Sequence, residues 1–542
     1  MFVREKKLVI WHSVIAMAAL FIGVLIGPLQ ALEHAGLSAY PALAQANILQ
    51  SYYQGLSMHG VLNALVWTTL FITGFLTLVT AKSLNREMKR FWLSAAGFGV
   101  MAVGVVLAGS ALLANIATVL YTFYPPMQAV WFFYLGLALV IVGSWMSGWS
   151  MLITYRAWRK ENPGERTPFL ALASLITMVM WQIAALGVAV EVLFLILPWS
   201  FGLVPGIDPE LSRTLFWFTG HPLVYFWLLP AYISWYGMVP KQAGGKLFSE
   251  PMARLAFWLL LLFSIPVGFH HQFADPGVSQ GWKILHAILT YAVIVPSLMT
   301  MFTVAASLEI GGRARGGKGL LGWIIKLPWK DPSFTSQTLA MIIFAFGGIG
   351  GLINASYNIN LVIHNTTWVP GHFHLTVGTA TTLTFMGVLY WLWPHVTGKR
   401  LFSRGVALAA GGQRFVGMAI FGNGMHRLGL LGAPRRTMLG VTQYFNPAWR
   451  VPTVMTAAGG VILFISAMLF FFNIIATVFV KEKSTADMPV AEPAVAETSP
   501  VWLDNWKPWL AGTAALIVMG YGPPLILLIS TIQSTSPGFR VW

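Results

Sequence analysis

The chain has 542 residues, 57% of them hydrophobic and 9% charged, with a formal net charge of +16 and no cysteine. Without cysteine it forms no disulfide, iron–sulfur cluster, CxxCH haem attachment or thiolate copper site, so any metal must be held by His, Met, Tyr, carboxylate or backbone. Apolar runs near the ~20 residues that cross a bilayer recur along it, which excludes a soluble multidomain protein.

The reading is an all-α polytopic membrane protein with about thirteen transmembrane helices. In chain order the spans fall near 9–31, 51–80, 92–114, 129–155, 168–198, 214–238, 255–273, 283–308, 337–357, 365–393, 405–428, 454–480 and 508–530. The first follows Arg4, Lys6 and Lys7 and is too long for a signal-peptide core, so it is a retained helix. The eleventh is the least regular, because Gly411, Gly412, Gln413, Arg414 and Asn423 interrupt it. Residues 481–506 read as a polar, mobile linker before the last helix. With no short internal repeat, residues 1–542 form one integral membrane domain, its core about 9–480.

Basic residues alternate between loops. Lys82, Arg86, Lys89 and Arg90 follow the second span, and Arg156, Arg159, Lys160 and Arg166 the fourth. Further clusters follow the sixth, eighth, tenth and twelfth, while the loops after the first, third and ninth carry no Lys or Arg. The positive-inside rule then predicts a cytoplasmic N-terminus, a cytoplasmic 481–506 linker and an outer C-terminus. Such loops face anionic lipid; they do not make a nucleic-acid surface. One outer segment breaks the pattern with Arg427, Arg435, Arg436 and Arg450, and arginines there ask for an anionic partner such as haem propionates.

Six histidines share one depth in the outer part of the bilayer: His59, His221, His270, His271, His372 and His374. Imidazole in hydrocarbon needs a partner or a role, and it is the commonest protein metal ligand. His59 lies about eight residues, ~12 Å, into its helix. His372 and His374, two residues apart, point about 200° from each other, so one helix can serve a metal on each side. His59 with one of this pair makes a bis-His haem site, the other faces a second centre, and His221, His270 and His271 make a three-imidazole site that suits copper. His12, His34, His395 and His426 read as interfacial.

Tyr225 lies four residues after His221 on the same helix face, and Tyr232 and Tyr236 continue that face inward. Ser297, Thr300 and Thr303 run the same way on the eighth span. A file of hydroxyls from the metal level to the inside is what proton delivery needs.

Four motifs carry a resemblance: SYYQGLSMHGVLNA (51–64), GHPLVYFWLLP (220–230), GFHHQFADPG (268–277) and NTTWVPGHFHL (365–375). With the PRR at 434–436, the chain resembles subunit I of the haem–copper terminal oxidases, most closely the B-type branch of cytochrome c oxidases. The resemblance implies two haems, the low-spin one b-type and the high-spin one a- or o-type, and one copper ion. His59 and His374 would bind the low-spin haem iron, His372 the high-spin haem iron, and His221, His270 and His271 copper. Tyr225 would be the catalytic tyrosine, covalently joined to His221. Arg435, Arg436, His364 and Asn360 would lie at the haem propionates, with Asn360 where relatives usually carry Asp. Tyr225, Tyr232, Tyr236, Ser297, Thr300 and Thr303 would form the proton path. Leu223 stands where the A-type branch has glutamate, so one tyrosine-based path would serve both chemical and pumped protons.

The implied activity is reduction of dioxygen to water in a prokaryotic cell membrane, coupled to proton uptake and pumping. The implied partners are cytochrome c, a subunit II carrying the dicopper site that this cysteine-free chain cannot build, and a small helical subunit. A quinol oxidase would lack that dicopper site. A nitric oxide reductase has glutamates and no tyrosine at position 225, and a histidine-lined transporter would bind no haem.

Overall fold

The computed structural model describes residues 2–495 and 499–541. Among the described residues, thirteen principal helices follow in chain order. They are α1 (Val3–His34), α2 (Tyr52–Ser83), α3 (Phe91–Leu113), α4 (Trp131–Glu161), α5 (Phe169–Ser200), α6 (Pro209–Gly237), α7 (Glu250–Ser264), α8 (Gln280–Ala314), α9 (Pro332–Ala355), α10 (Trp368–Thr397), α11 (Arg404–Leu430), α12 (Pro447–Phe479) and α13 (Trp506–Ser530). Among the described residues, ten are long and apolar enough to cross a membrane. Helix α7 is short, with 15 residues, and α6 and α11 are less apolar. The sequence expectation of about thirteen spans rests on including these three.

Small residues set a close helix pair. A Cβ on Gly97 would lie 2.5 Å from the Gly143 carbonyl, and one on Gly104 2.5 Å from the Gly136 carbonyl. Helices α3 and α4 therefore meet backbone to backbone, as membrane helices do when small residues replace a hydrophobic driving force. Gly143→Val is expected to lower stability by about 1–3 kcal/mol, the usual cost of overpacking, read as earlier thermal unfolding of the detergent-solubilised protein.

The same device explains the glycines of α11, a single continuous helix of 27 residues instead of the irregular segment expected. Gly417 and Gly424 lie against α12, where added Cβ atoms would stand 3.2 Å from the Gly459 carbonyl and 2.8 Å from that of Pro452. Gly411 faces Ser336 of α9 in the same way.

Two further expectations need correction. The expected seventh span ends early: α7 stops at Ser264, and His270 and His271 lie on a separate 3₁₀ turn, Gly268–Gln272. The 481–506 segment, outside its undescribed residues 496–498, is pinned across the bundle end. Ala491 N donates to the Gly237 carbonyl (2.7 Å) and Ser484 N to that of Gly398 (2.9 Å). Asp487 pairs with Lys82, and Asp504 with Arg254 at 2.9 Å. A proline- and alanine-rich composition reads as a tether, but its backbone groups find partners on neighbouring loops.

The ion pairs Arg4–Glu87, Lys82–Asp487, Arg86–Glu161 and Arg400–Glu482 gather the N-terminus and the basic loops at that same end. At the opposite end the C-terminal tail returns, Ser536–Pro537 pairing antiparallel with Gly206–Ile207.

Candidate metal centre

A cavity of about 1060 Å³ runs through the bundle, lined by all six histidines together with Tyr225, Asn360, His364, Arg435 and Arg436. It reaches the upper limit of ordinary small-molecule sites.

On one side, the rings of His59 (α2) and His374 (α10) face each other with centroids 6.1 Å apart and planes 16° from parallel. A spacing of this size between two ring centroids is what one metal held by both imidazoles at the usual ~2 Å would require. His59 donates its Nδ1 hydrogen to the Gly23 carbonyl (2.8 Å), and His374 its own to Pro370 (2.7 Å). A carbonyl only accepts, so both rings keep a bare Nε2, and the carbonyls orient them as ligand histidines are usually oriented. Gly27 leaves space for the His59 ring: a Cβ there would touch its Cε1 at 3.4 Å. π-helical turns follow both residues, over Val61–Trp67 and from His374 to Thr381. Such turns re-aim side chains and cluster at functional sites. They were not readable as a departure from 3.6-residue periodicity.

His372 points to the other side of α10. Its ring lies against Gly350 and Gly351 of α9, where Cβ atoms would stand 3.1 and 3.2 Å from it. The two neighbouring histidines thus serve different parts of the cavity, as their spacing predicts.

Across from His372, the ligand nitrogens of His221, His270 and His271 all lie within 4.8 Å of one another. His221 Nδ1 and His271 Nε2 are 3.2 Å apart. Two of the three are held from behind. The Thr290 hydroxyl gives its hydrogen to the His286 carbonyl (2.6 Å), so it accepts from His270 Nδ1 (2.9 Å) and leaves His270 Nε2 free. The His271 ring stacks on Trp217 at 3.7 Å and 4°. His221 sits on α6 with its Nε2 buried and without a hydrogen-bond partner, its ring 4.9 Å from that of Tyr225. The turn is anchored through His286, which accepts from Phe269 N (3.2 Å) and donates to Gly520 (3.0 Å), and through Tyr521, which accepts from Gly268 N (2.9 Å). Thr290, Trp217 and Tyr521 were missed in the sequence and His286 was left ambiguous there, because their spacing to the ligands is meaningful only once α8 and α13 pack on the turn. Thr290→Val is expected to weaken metal binding at this triad 10–100-fold, the usual cost of removing an orienting partner, measured by chelator competition.

At the rim, Arg435 is tied to Asn365 by its backbone N (2.9 Å) and by Nη2 (2.8 Å). Arg436, in the left-handed region at φ 61°, lies over the rings of Tyr121 and Tyr124. Arg213, which the sequence reading did not single out, lies over the other approach to Tyr124 and pairs with Asp275 at 2.9 Å. Arg435 Nε and Arg436 Nη2 are buried without partners. Burial first, then the adjacent Arg436, pushes Arg435 down to about 10, so it keeps its charge at neutral pH. Burial, aided by Arg435 and Arg213, pushes His364 down to about 4, so it is neutral there. Unpaired guanidiniums around a neutral histidine form a receptor for carboxylates. Asn360 donates to the Asn354 carbonyl (2.7 Å) and leaves its own Oδ1 unpartnered.

Below the cavity, Tyr232 lies beside Ser297, and Tyr236 donates to Thr300 (2.8 Å) with Thr303 nearby. Tyr225, Tyr232, Ser297 and Thr300 line the cavity, whereas Tyr236 and Thr303 continue beneath it. The six expected hydroxyls are carried by α6 and α8, and Tyr236–Thr300 is the hydrogen bond that joins the two sets among the described residues. Of the histidines expected at the membrane interface, His12 is instead fully buried, its Nδ1 on the Leu8 carbonyl (2.9 Å). His34 is buried too, beside the Tyr52 hydroxyl at 3.4 Å.

Known proteins carry the same architecture. Residues 7–462 match the family described as Cytochrome C and Quinol oxidase polypeptide I. The chain is 46% identical to cytochrome c oxidase subunit 1 of Thermus thermophilus, over 99% of this chain and 97% of that one. It is 26% identical to cytochrome c oxidase subunit 1 of Thermostichus vulcanus, covering 92% and 89%. It is 24% identical to quinol oxidase subunit 1 of Sulfolobus acidocaldarius, covering 63% and 65%. The structure superposes on a chain from a heme-copper terminal oxidase dimer with a TM-score of 0.94 at 38% identity, over 99% of this chain and 95% of that one. With its multi-pass apolar helices and six cavity histidines, the chain belongs to the cytochrome c and quinol oxidase polypeptide I family, whose members are haem- and copper-bearing partners of a subunit II.

Proposed function

We propose that this chain is the catalytic subunit of a B-type cytochrome c oxidase, reducing dioxygen to water and pumping protons. The observation that carries the reading is the arrangement of six inward imidazoles in one cavity as a facing pair, a single ring and a triad. In it His59 and His374 hold a low-spin b-type haem, His372 a high-spin haem of a or o type, and His221, His270 and His271 one copper ion. The residues fit these groups: the facing pair leaves room for one metal, the triad presents free nitrogens to a common point, and the rim supplies unpaired guanidiniums for propionates.

Those groups, when bound, supply electrons and the dioxygen-binding metals. The chain supplies orientation and protons. Thr290, Trp217 and the Gly23 and Pro370 carbonyls fix the imidazoles. Tyr225 lines the cavity with His221 and His372 and donates its phenolic proton there. The Tyr232–Ser297 and Tyr236–Thr300 pairs restore that proton from the basic-loop end. If that end is cytoplasmic and electrons enter outside, each turnover moves charge across the membrane, worth ~2.3 kcal/mol per charge per 100 mV. The partner subunit II would carry the dicopper site and receive electrons from cytochrome c, with a small helical subunit alongside.

The pyridine haemochrome and metal analysis of the purified complex are expected to give two haems per chain and one copper beyond the two of a dicopper partner. Absence of haem would sink the oxidase reading, and non-haem iron in place of that copper would favour a nitric oxide reductase. The donor is decided by comparing turnover on reduced cytochrome c with turnover on quinol. Faster oxidation of quinol would overturn the cytochrome c assignment.

A further inference from the structure

Arg414 lies inside the bundle on α11, 8% exposed, next to Gln413. A guanidinium at such a place is costly unless something uses its charge. Its Nη2 donates to the carbonyl of Gly378, while its Nε is buried with no partner. Among the described residues, no carboxylate forms an ion pair with it.

Its neighbours place the charge. Gly378 follows His374 by four residues, within the π-helical turn, and its Cα hydrogens face the His374 ring: a Cβ there would stand 3.5 Å from it. Phe421, seven residues beyond Arg414, packs on the His374 ring at 5.0 Å between centroids. Seven residues bring a helix back to nearly the same face ~10 Å along. Arg414, Met418, Phe421 and Met425 accordingly line the same cavity wall. One face of α11 thus presents an aromatic ring to the His374 imidazole and, two turns away, an uncompensated cation to the space beside it.

We propose that Arg414 is the buried cation that raises the reduction potential of the haem held between His59 and His374. It rests on the reading of these two histidines as that haem's ligands. Reduction adds one electron to the iron–porphyrin unit. A fixed positive charge in a low-dielectric wall stabilises the reduced form more than the oxidised one, and burial keeps solvent from screening it. A higher potential at this haem holds the electron there until the neighbouring centre is ready to take it. Arg414 is therefore a tuning residue and touches no reacting oxygen.

The test is a spectroelectrochemical titration of the low-spin haem in the purified complex, for wild type, R414Q, R414M and R414K. Both neutral variants are expected to shift the one-electron equilibrium at least tenfold toward the oxidised haem, a fall of about 59 mV or more, with the bis-His spectrum retained. R414K, which keeps the charge, is expected within twofold of wild type. An unchanged midpoint in either neutral variant overturns the proposal. So does a tenfold fall in R414K, which also decides the matter should neither neutral variant assemble. A wild-type complex without a bis-His low-spin spectrum would instead refute the haem assignment, leaving a distinguishable result.

Discussion

Tyr225→Phe is expected to lower oxygen reduction by about three orders of magnitude, within the 10²–10⁴ range of a lost proton donor, while both haems and the copper remain bound. The change removes one oxygen from a ring that stays in place on α6, four residues and one turn from His221. Neither the His59–His374 pair nor the His221–His270–His271 triad uses that hydroxyl, so cofactor content should not move. The hydroxyl column beneath would then end at Tyr232 and Ser297, short of the metals. Oxygen uptake with reduced cytochrome c, beside haemochrome and copper analysis, checks both halves. Turnover within tenfold of wild type would refute the role given to Tyr225; loss of a haem would show that the ring is structural.

Exchanging the paired histidines of α10 should separate the two haem sites. His374→Ala is expected to remove the low-spin haem, taking the haem-to-protein ratio from two to one and electron entry with it. His372→Ala is expected to leave the low-spin spectrum and abolish ligand binding at the second haem. The physical basis is that the two rings leave α10 in different directions, one toward His59 at 6.1 Å and the other toward Gly350 and Gly351. Carbon monoxide difference spectra report the second haem, and the α-band of the reduced protein the first. If both substitutions removed the same haem, the division of the cavity would be wrong.

Most of this centre was legible before any coordinates, for a definite reason. In hydrocarbon a polar side chain is conspicuous, so His59, His221, His270, His271, His372 and His374 announce themselves against an apolar background. Helical geometry then converts spacing into direction, which separated His372 from His374 and aligned Tyr225 with His221. The groups supporting them were not legible. Thr290, Trp217 and Tyr521 are ordinary residues for a membrane helix, His286 stands out but has no ligand spacing, and the value of all four comes from packing between α6, α8, α13 and the 3₁₀ turn. Arg213 was lost among loop charges because its partners, Asp275 and Tyr124, lie far away in sequence. The glycines of α11 read as irregularity, although they permit a close helix contact.

Hydropathy and residue spacing alone determined a polytopic helical protein with its histidines at one depth, because span length and ligand direction are local properties of a helix. Which ring faces which, how each imidazole is oriented, what the α11 glycines pack against and where the 481–506 segment runs were decided only by tertiary structure. Those depend on π-helical turns, backbone carbonyls and glycine contacts between distant helices, and such contacts leave no periodic trace along the chain.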